Sequence, residues 1–201
     1  MKRLLAGLTL LMGLVSFAHA QGDAAAGQGK TAVCGGCHGV DGNSVMANFP
    51  KLAGQGEKYL IKQMKDIQAG NRQVVEMTGL LTGMTEQDFA DIAAYFSSQK
   101  ASQGAAKADL VAKGEKIYRA GNMATGLPAC IGCHSPTGKG NASAAFPALA
   151  GQHSDYVTAQ LKKFREGDRA NDGESRMMRD VASKLSDKEI EAVASYVQGL
   201  R

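Results

Sequence analysis

Cys34-Gly-Gly-Cys37-His38 and Cys130-Ile-Gly-Cys133-His134 hold all four cysteines of the 201-residue chain. In each stretch two thiols stand three residues apart and a histidine follows at once. On one helical turn such thiols project to the same side, where they can reach the two vinyl groups of a haem and form thioethers. The adjacent histidine then lies under the iron as its proximal ligand. Other uses of paired cysteines fit less well. Zinc needs four ligands, and two pairs could supply them. The pairs are 96 residues apart, however, and the trailing histidines would go unexplained. A thioredoxin-like redox pair expects a βαβ context, and no such pattern surrounds either motif. Disulfides inside C-x-x-C would close small, strained loops.

Working outward, each motif opens one copy of a longer repeat, the first thing to seek in a sequence of this kind. Phe49-Pro-Lys-Leu-Ala-Gly-Gln55 matches Phe146-Pro-Ala-Leu-Ala-Gly-Gln152, and Tyr59–Arg72 matches Tyr156–Arg169 without a gap. Leu60, Met64, Ile67 and Val157, Leu161, Phe164 have the spacing of one helix face. Gly70 and Gly167 supply the stops. Thr85-Glu-Gln-Asp88 and Ser186-Asp-Lys-Glu189 are capping-box signals. Behind them Phe89, Ile92, Phe96 and Ile190, Val193, Val197 mark the apolar faces of two closing helices. A further short helix is expected before each first cysteine, over 23–33 and 109–119. The join falls in the small, polar stretch Ser98–Ala108. There is no Trp, and strand-like runs of β-branched residues are absent. The chain therefore reads as all-α, with two tandem units over 21–104 and 105–201. Units this small are marginal without a staple, and a covalently held haem would fill the core and provide one.

Residues 1–20 read as a secretory signal. Lys2 and Arg3 precede an apolar run from Leu4 to Ala18, and Ala18-His19-Ala20 has the form of a cleavage site. The run is 15 residues long, shorter than the roughly 17–25 that a spanning helix needs. No later segment is apolar enough to span, so the mature chain is expected to be exported and to lack a transmembrane segment. Its two halves carry seven basic against eight acidic and fourteen basic against eleven acidic residues. This asymmetry reads as ordinary solvated faces. No basic run interleaved with aromatics points to nucleic acid.

The paired C-x-x-C-H sites, the F-P-x-L-A-G-Q segments and the closing helices with Tyr95 and Tyr196 resemble the cytochrome c family, in particular its dihaem cytochrome c4 group. The resemblance covers essentially all of the mature chain. It implies two cytochrome c-type helical domains related by pseudo-twofold symmetry, each wrapped around one covalent haem c, with haem propionates near the domain interface. It implies His–Met axial ligation. It also implies that a proline carbonyl after the F-P step, Pro50 or Pro147, accepts a hydrogen bond from the ring of His38 or His134. Such a bond fixes the ring and tunes the iron. Cys34, Cys37, Cys130 and Cys133 would form the thioethers. The implied role is passing electrons in bacterial respiration, with a bc1-type complex or another donor and a membrane haem–copper oxidase as acceptor.

Closing the sixth iron position with methionine makes an electron carrier of raised potential, whereas leaving it open permits ligand binding or catalysis. In the first half Met64 and Met84 align with Leu161 and Leu185 and read as core; Met77 lies in a loop. In the second half the choice is Met177 or Met178. Met77 precedes Thr85 by 8 residues and Tyr95 by 18; Met178 precedes Ser186 by 8 and Tyr196 by 18. Met178 is therefore in register and Met177 is off by one. Met46 and Met123 have no partner methionine and read as structural. His153, opposite Gly56 in the repeat, reads as a surface residue. The expectation is a periplasmic, monomeric dihaem electron carrier and not an enzyme, with any membrane association peripheral. A dihaem peroxidase would need one haem without its methionine, plus acid–base residues beside the iron. A redox or gas sensor would need a signalling domain, and no chain is left over for one.

Overall fold

The computed structural model describes residues 21–201; residues 1–20, read above as a secretory signal, lie outside the described residues. It contains helices and turns, and among the described residues no strand forms, only the isolated bridges Asn122–Leu127 and Asn141–Phe146. The first unit runs through α1 (Ala24–Lys30), α2 (Ala32–His38), α3 (Glu57–Gln68) and α4 (Glu86–Ser98). The second runs through α5 (Val111–Ala120), α6 (Ile131–His134), α7 (Ser154–Glu166), α8 (Met177–Ala182) and α9 (Asp187–Gly199).

Both capping boxes form. Thr85 and Asp88 exchange side chain-to-amide bonds at the start of α4, and Ser186 and Glu189 do so at α9. Gly167 ends α7 in the left-handed conformation at φ +88°, and Gly70 takes φ +77° just past α3. The closing helices are the central elements: α1 and α3 pack on α4, and α5 and α7 pack on α9. Phe89, Ile92 and Phe96 are buried along α4, and Ile190, Val193 and Val197 along α9.

Two glycines let the first helix of each unit lie directly on the closing helix. A Cβ on Gly27 would stand 2.0 Å from the Asp91 carbonyl oxygen, and one on Gly114 would stand 2.2 Å from that of Ala192. Backbone approach this close leaves room for no side chain.

The join between the units is pinned rather than loose. The Ser102 amide donates to Asn43 Oδ1 at 2.7 Å, Lys51 Nζ donates to the Ser102 carbonyl at 3.1 Å, and the Lys107 amide donates to Ser195 Oγ at 2.9 Å. Small polar residues suit it because its backbone must be satisfied by side chains of both units.

The interface repeats its own bonds about a twofold. Gln55 accepts from the Ala148 amide (2.7 Å) and donates to the Ala148 carbonyl (3.1 Å). Gln152 accepts from the Lys51 amide (2.9 Å) and donates to the Lys51 carbonyl (2.9 Å). Residues 51 and 148, like 55 and 152, are repeat equivalents, so each glutamine makes the same pair of bonds to the opposite unit. Other bonds across the interface have no twofold counterpart: His153 Nε2 lies 2.8 Å from the Ser44 carbonyl, and Asn171 donates to Gln63 Oε1 at 2.9 Å. His153 is thus an interface residue, not the surface residue its position opposite Gly56 led us to expect.

Candidate functional site

In the first unit Cys34, Cys37 and His38 all lie on α2. In the second, Cys130 is the N-cap of the single turn α6, which carries Cys133 and His134. That helix is short because Ser135 follows it at φ +66°, outside right-handed helical geometry. In both units the motif still occupies one turn, so both thiols and the histidine share a side.

None of the four cysteines is joined in a disulfide. Burial pushes Cys34 up from its ordinary value and Cys130 up to about 11. An activated redox thiol shows the reverse shift. Among the described residues no group of three or more His, Cys, Asp or Glu gathers as a metal site, so the two cysteine pairs do not combine into a zinc centre.

Both motif histidines are buried. His38 Nδ1 is 2.8 Å from the Pro50 carbonyl oxygen and His134 Nδ1 is 2.9 Å from that of Pro147. A carbonyl only accepts, so Nδ1 carries the proton and Nε2 is left as the lone-pair nitrogen. Burial pushes both imidazoles below their ordinary value, with the carbonyl bond opposing it in part. A neutral ring with a fixed tautomer is what iron ligation requires. Phe49 stands edge-on to the His38 ring at 6.3 Å and supports its orientation.

Met77 ends a 3-10 turn, Val75–Met77, and is half-buried. With Ile67, Arg72, Val74 and Leu81 it lines a cavity of about 220 Å³. Met178 occupies the second position of α8 and is also half-buried, whereas Met177 is 40 % exposed. Met64 and Met84 pack against the first core, and Leu161 and Leu185 belong to the second, as the repeat indicates. Met46 and Met123, the two methionines without a repeat partner, lie at the surface. They are 40 % and 95 % exposed, and so are not core residues.

One cluster was not singled out from the sequence. Arg72 and Arg169 are buried between the units. Arg72 donates to Gln63 Oε1 (2.9 Å) and, across the interface, to Tyr156 Oη (3.0 Å) and Gln160 Oε1 (3.2 Å). Arg169 donates to Gln160 Oε1 (2.8 Å) and, across the interface, to Tyr59 Oη (3.3 Å) and Gln63 Oε1 (3.0 Å). These are repeat equivalents, and their matching in the Tyr59–Arg72 and Tyr156–Arg169 segments was the available signal. Among the described residues neither guanidinium has a carboxylate within salt-bridge distance. Burial alone would push the Tyr59 phenol up, yet Arg169 and Arg72 outweigh it and hold it below its ordinary value. Two buried cations with no carboxylate in direct contact make a place suited to anions.

The donor set fits a haem. It comprises paired thiols one turn apart, neutral imidazoles with Nε2 available, half-buried thioethers, and buried guanidiniums that acidic propionates would neutralise.

The comparisons agree with this reading. The sequence pattern of the family described as "Cytochrome c" matches residues 24–100 and again 111–201. The chain is 62 % identical over 200 residues to a cytochrome c4 of Pseudomonas aeruginosa, covering 100 % of both chains. It is 35 % identical over 205 residues to a thiosulfate dehydrogenase electron acceptor of Thiomonas intermedia, covering 98 % of this chain and 90 % of that one. Its fold superimposes on the crystal structure of reduced recombinant cytochrome c4 from Pseudomonas stutzeri with a TM-score of 0.88 and 59 % identity, over 90 % of this chain and 100 % of that one. With duplicated haem-attachment motifs, proline-held histidines and these relatives, the chain belongs to the cytochrome c family, in its cytochrome c4 group, and is an electron-transfer protein.

Proposed function

We propose that this protein is a periplasmic relay that moves single electrons through two covalent haem c groups in a bacterial respiratory chain. The observation that carries the reading is the duplicated ligand set. Each unit offers a buried, proline-held imidazole and, in repeat register, a half-buried methionine. Bound haem supplies the one-electron couple between Fe(II) and Fe(III).

The chain's own residues would do the rest. Cys34 and Cys37, and Cys130 and Cys133, anchor one haem each. His38 and His134 would bind iron through Nε2, with Pro50 and Pro147 holding their tautomers. Met77 and Met178 would supply a thioether sulfur to each iron, which would keep small ligands out and raise the potential. Arg72 and Arg169 neutralise acidic substituents at the interface, where bonds from each arginine reach both units. A methionine available to each haem would favour a carrier over a peroxidase, which needs an open iron.

In this reading the donor is a bc1-type complex or a similar membrane redox protein, and the acceptor a membrane haem–copper oxidase. Among the described residues no helix is long and apolar enough to cross a membrane, so docking to either would be peripheral.

A redox titration of the loaded protein beside Met77→Ala and Met178→Ala tests the reading. Each variant should lower one potential by a sizeable fraction of the roughly 0.8 V range over which axial ligands set haem potentials. The native protein, reduced, should exclude CO. Rapid CO or peroxide binding by one haem of the unaltered protein would overturn the carrier assignment.

A further inference from the structure

The segment that carries Met178 is four residues longer than its counterpart: Arg169 to Met178 is 9 residues, and Arg72 to Met77 is 5. The extra residues bring in a contact that the first unit lacks. Asp172, with a side chain only 5 % exposed, reaches forward seven residues to Arg179, the neighbour of Met178. Its Oδ2 accepts from the Arg179 amide at 2.9 Å, and its Oδ1 accepts from Arg179 Nε at 2.7 Å. The guanidinium also donates to the Gly173 carbonyl at 2.9 Å, which closes the loop on itself.

This arrangement replaces an ordinary cap. The N-cap position of α8 is Arg176, held at φ +49° in the left-handed region, and its side chain makes no capping bond. The amide that Asp172 binds is that of the third helical residue, the group a capping side chain normally serves. The helix has only six residues, too few to hold together by its own backbone bonds. Its geometry therefore rests on its packing against α7, with Ala182 fully buried, and at its N-terminal end on Asp172. The first unit has no such device. Thr78 takes the place of Arg179 in the repeat, and its amide donates only to the Val75 carbonyl, at 3.1 Å.

We propose that the Asp172–Arg179 pair is a positioning clamp that fixes the backbone of Met178 and thereby holds its sulfur toward the second iron. This rests on the reading of Met178 as an axial ligand. A methionine side chain has three rotatable bonds, so a sulfur presented from a fixed backbone forfeits less conformational freedom on binding than one presented from a mobile loop. The clamp makes the second ligand bond the better held of the two and acts on one haem only. The pair is largely desolvated, so loss of either partner leaves a poorly compensated charge and releases the loop.

The test uses the haem-loaded full-length protein, with Asp172→Asn and, as a second variant that keeps the charge but loses the fork of donors, Arg179→Lys. Four quantities are read: both potentials, the sulfur-to-iron charge-transfer band of the oxidised form, CO binding by the reduced form, and stability in urea. Asp172→Asn should lower the potential of the second haem alone, remove part of its share of the band and let that haem bind CO, with the first haem unaltered. Arg179→Lys should do the same to a smaller extent, and it decides the matter if Asp172→Asn does not fold. Lower urea stability with both potentials, the band and CO exclusion unaltered would reduce the pair to a structural role and overturn the clamp. Met178→Ala is the separate control. If it opens the second haem while both clamp variants leave ligation intact, the ligand reading stands and the clamp fails. If Met178→Ala opens neither haem, the ligand reading itself fails.

Discussion

Two adjacent methionines, Met177 and Met178, have the same side chain and different surroundings. Repeat register places Met178 opposite Met77, and both are half-buried, while Met177 is 40 % exposed. Met177→Ala should therefore leave both potentials and the charge-transfer band unchanged, in contrast to Met178→Ala. Loss of the band in Met177→Ala would invert the assignment. His38 and His134 illustrate a different economy of residues. Each uses Nδ1 on a proline carbonyl, a partner that has no amide proton of its own and cannot be removed by changing a side chain. The motif cysteines and histidines were legible in the sequence because covalent and coordinate chemistry demands fixed spacing, whereas the two prolines followed from the family resemblance. Asp172, Arg72 and Arg169 were not singled out, because a charged residue looks the same in sequence whether it is solvated or buried.

Among the elements, the crossings of α1 on α4 and of α5 on α9 depend on Gly27 and Gly114. Gly114→Ala should cost about 1–3 kcal/mol, the usual range for overpacking a close contact, read as a lower urea midpoint for the second unit. Gly29, whose Cβ would meet nothing within 4 Å, is the contrast: Gly29→Ala should be neutral or mildly stabilising. The α1–α4 contact also carries a pH dependence. The Asp23 amide, followed by Lys30 and Gln87, holds the Asp91 carboxyl down to about 2 from its ordinary 3.8. A depressed carboxyl stabilises the fold fully above its unfolded value, and that contribution disappears as pH falls through the folded one. Urea midpoints of the first unit should thus fall between about pH 4 and pH 2. Asp91→Asn should be less stable at neutral pH and flatter across that window. An equally steep fall in the variant would remove Asp91 from the account. The closing helices and their capping boxes were readable from the sequence, since helical periodicity and cap chemistry are local. The two glycine crossings were not, since nothing local marks which glycine another backbone will approach.

For the whole molecule, one residue type is used twice at the interface. Gln55 and Gln152 each satisfy both backbone groups of a residue in the opposite unit. Removing either side chain would leave a partly buried amide and carbonyl without partners, at about 1–3 kcal/mol for each unsatisfied group. Gln55→Ala combined with Gln152→Ala should therefore uncouple the units. Thermal unfolding of the double variant should split into two transitions, and the electron distribution between the haems should become independent of the interface. A single cooperative transition in the double variant would show that the pinned join and the arginine cluster suffice.

The sequence by itself determined the helical class, the internal duplication and the attachment motifs, because each is written in short-range spacing that one helical turn or one repeat can enforce. It also carried the methionine register, since a duplication preserves the count back from the closing helix. Only the tertiary structure decided which polar residues turn inward. The Gln55/Gln152 exchange, the buried Arg72–Arg169 pair, the His153 bridge and the Asp172–Arg179 contact all join residues that are distant in sequence or lie across a loop of unfixed shape. Hydrogen bonds of that kind depend on where two backbones meet, and no local pattern of residues encodes that meeting.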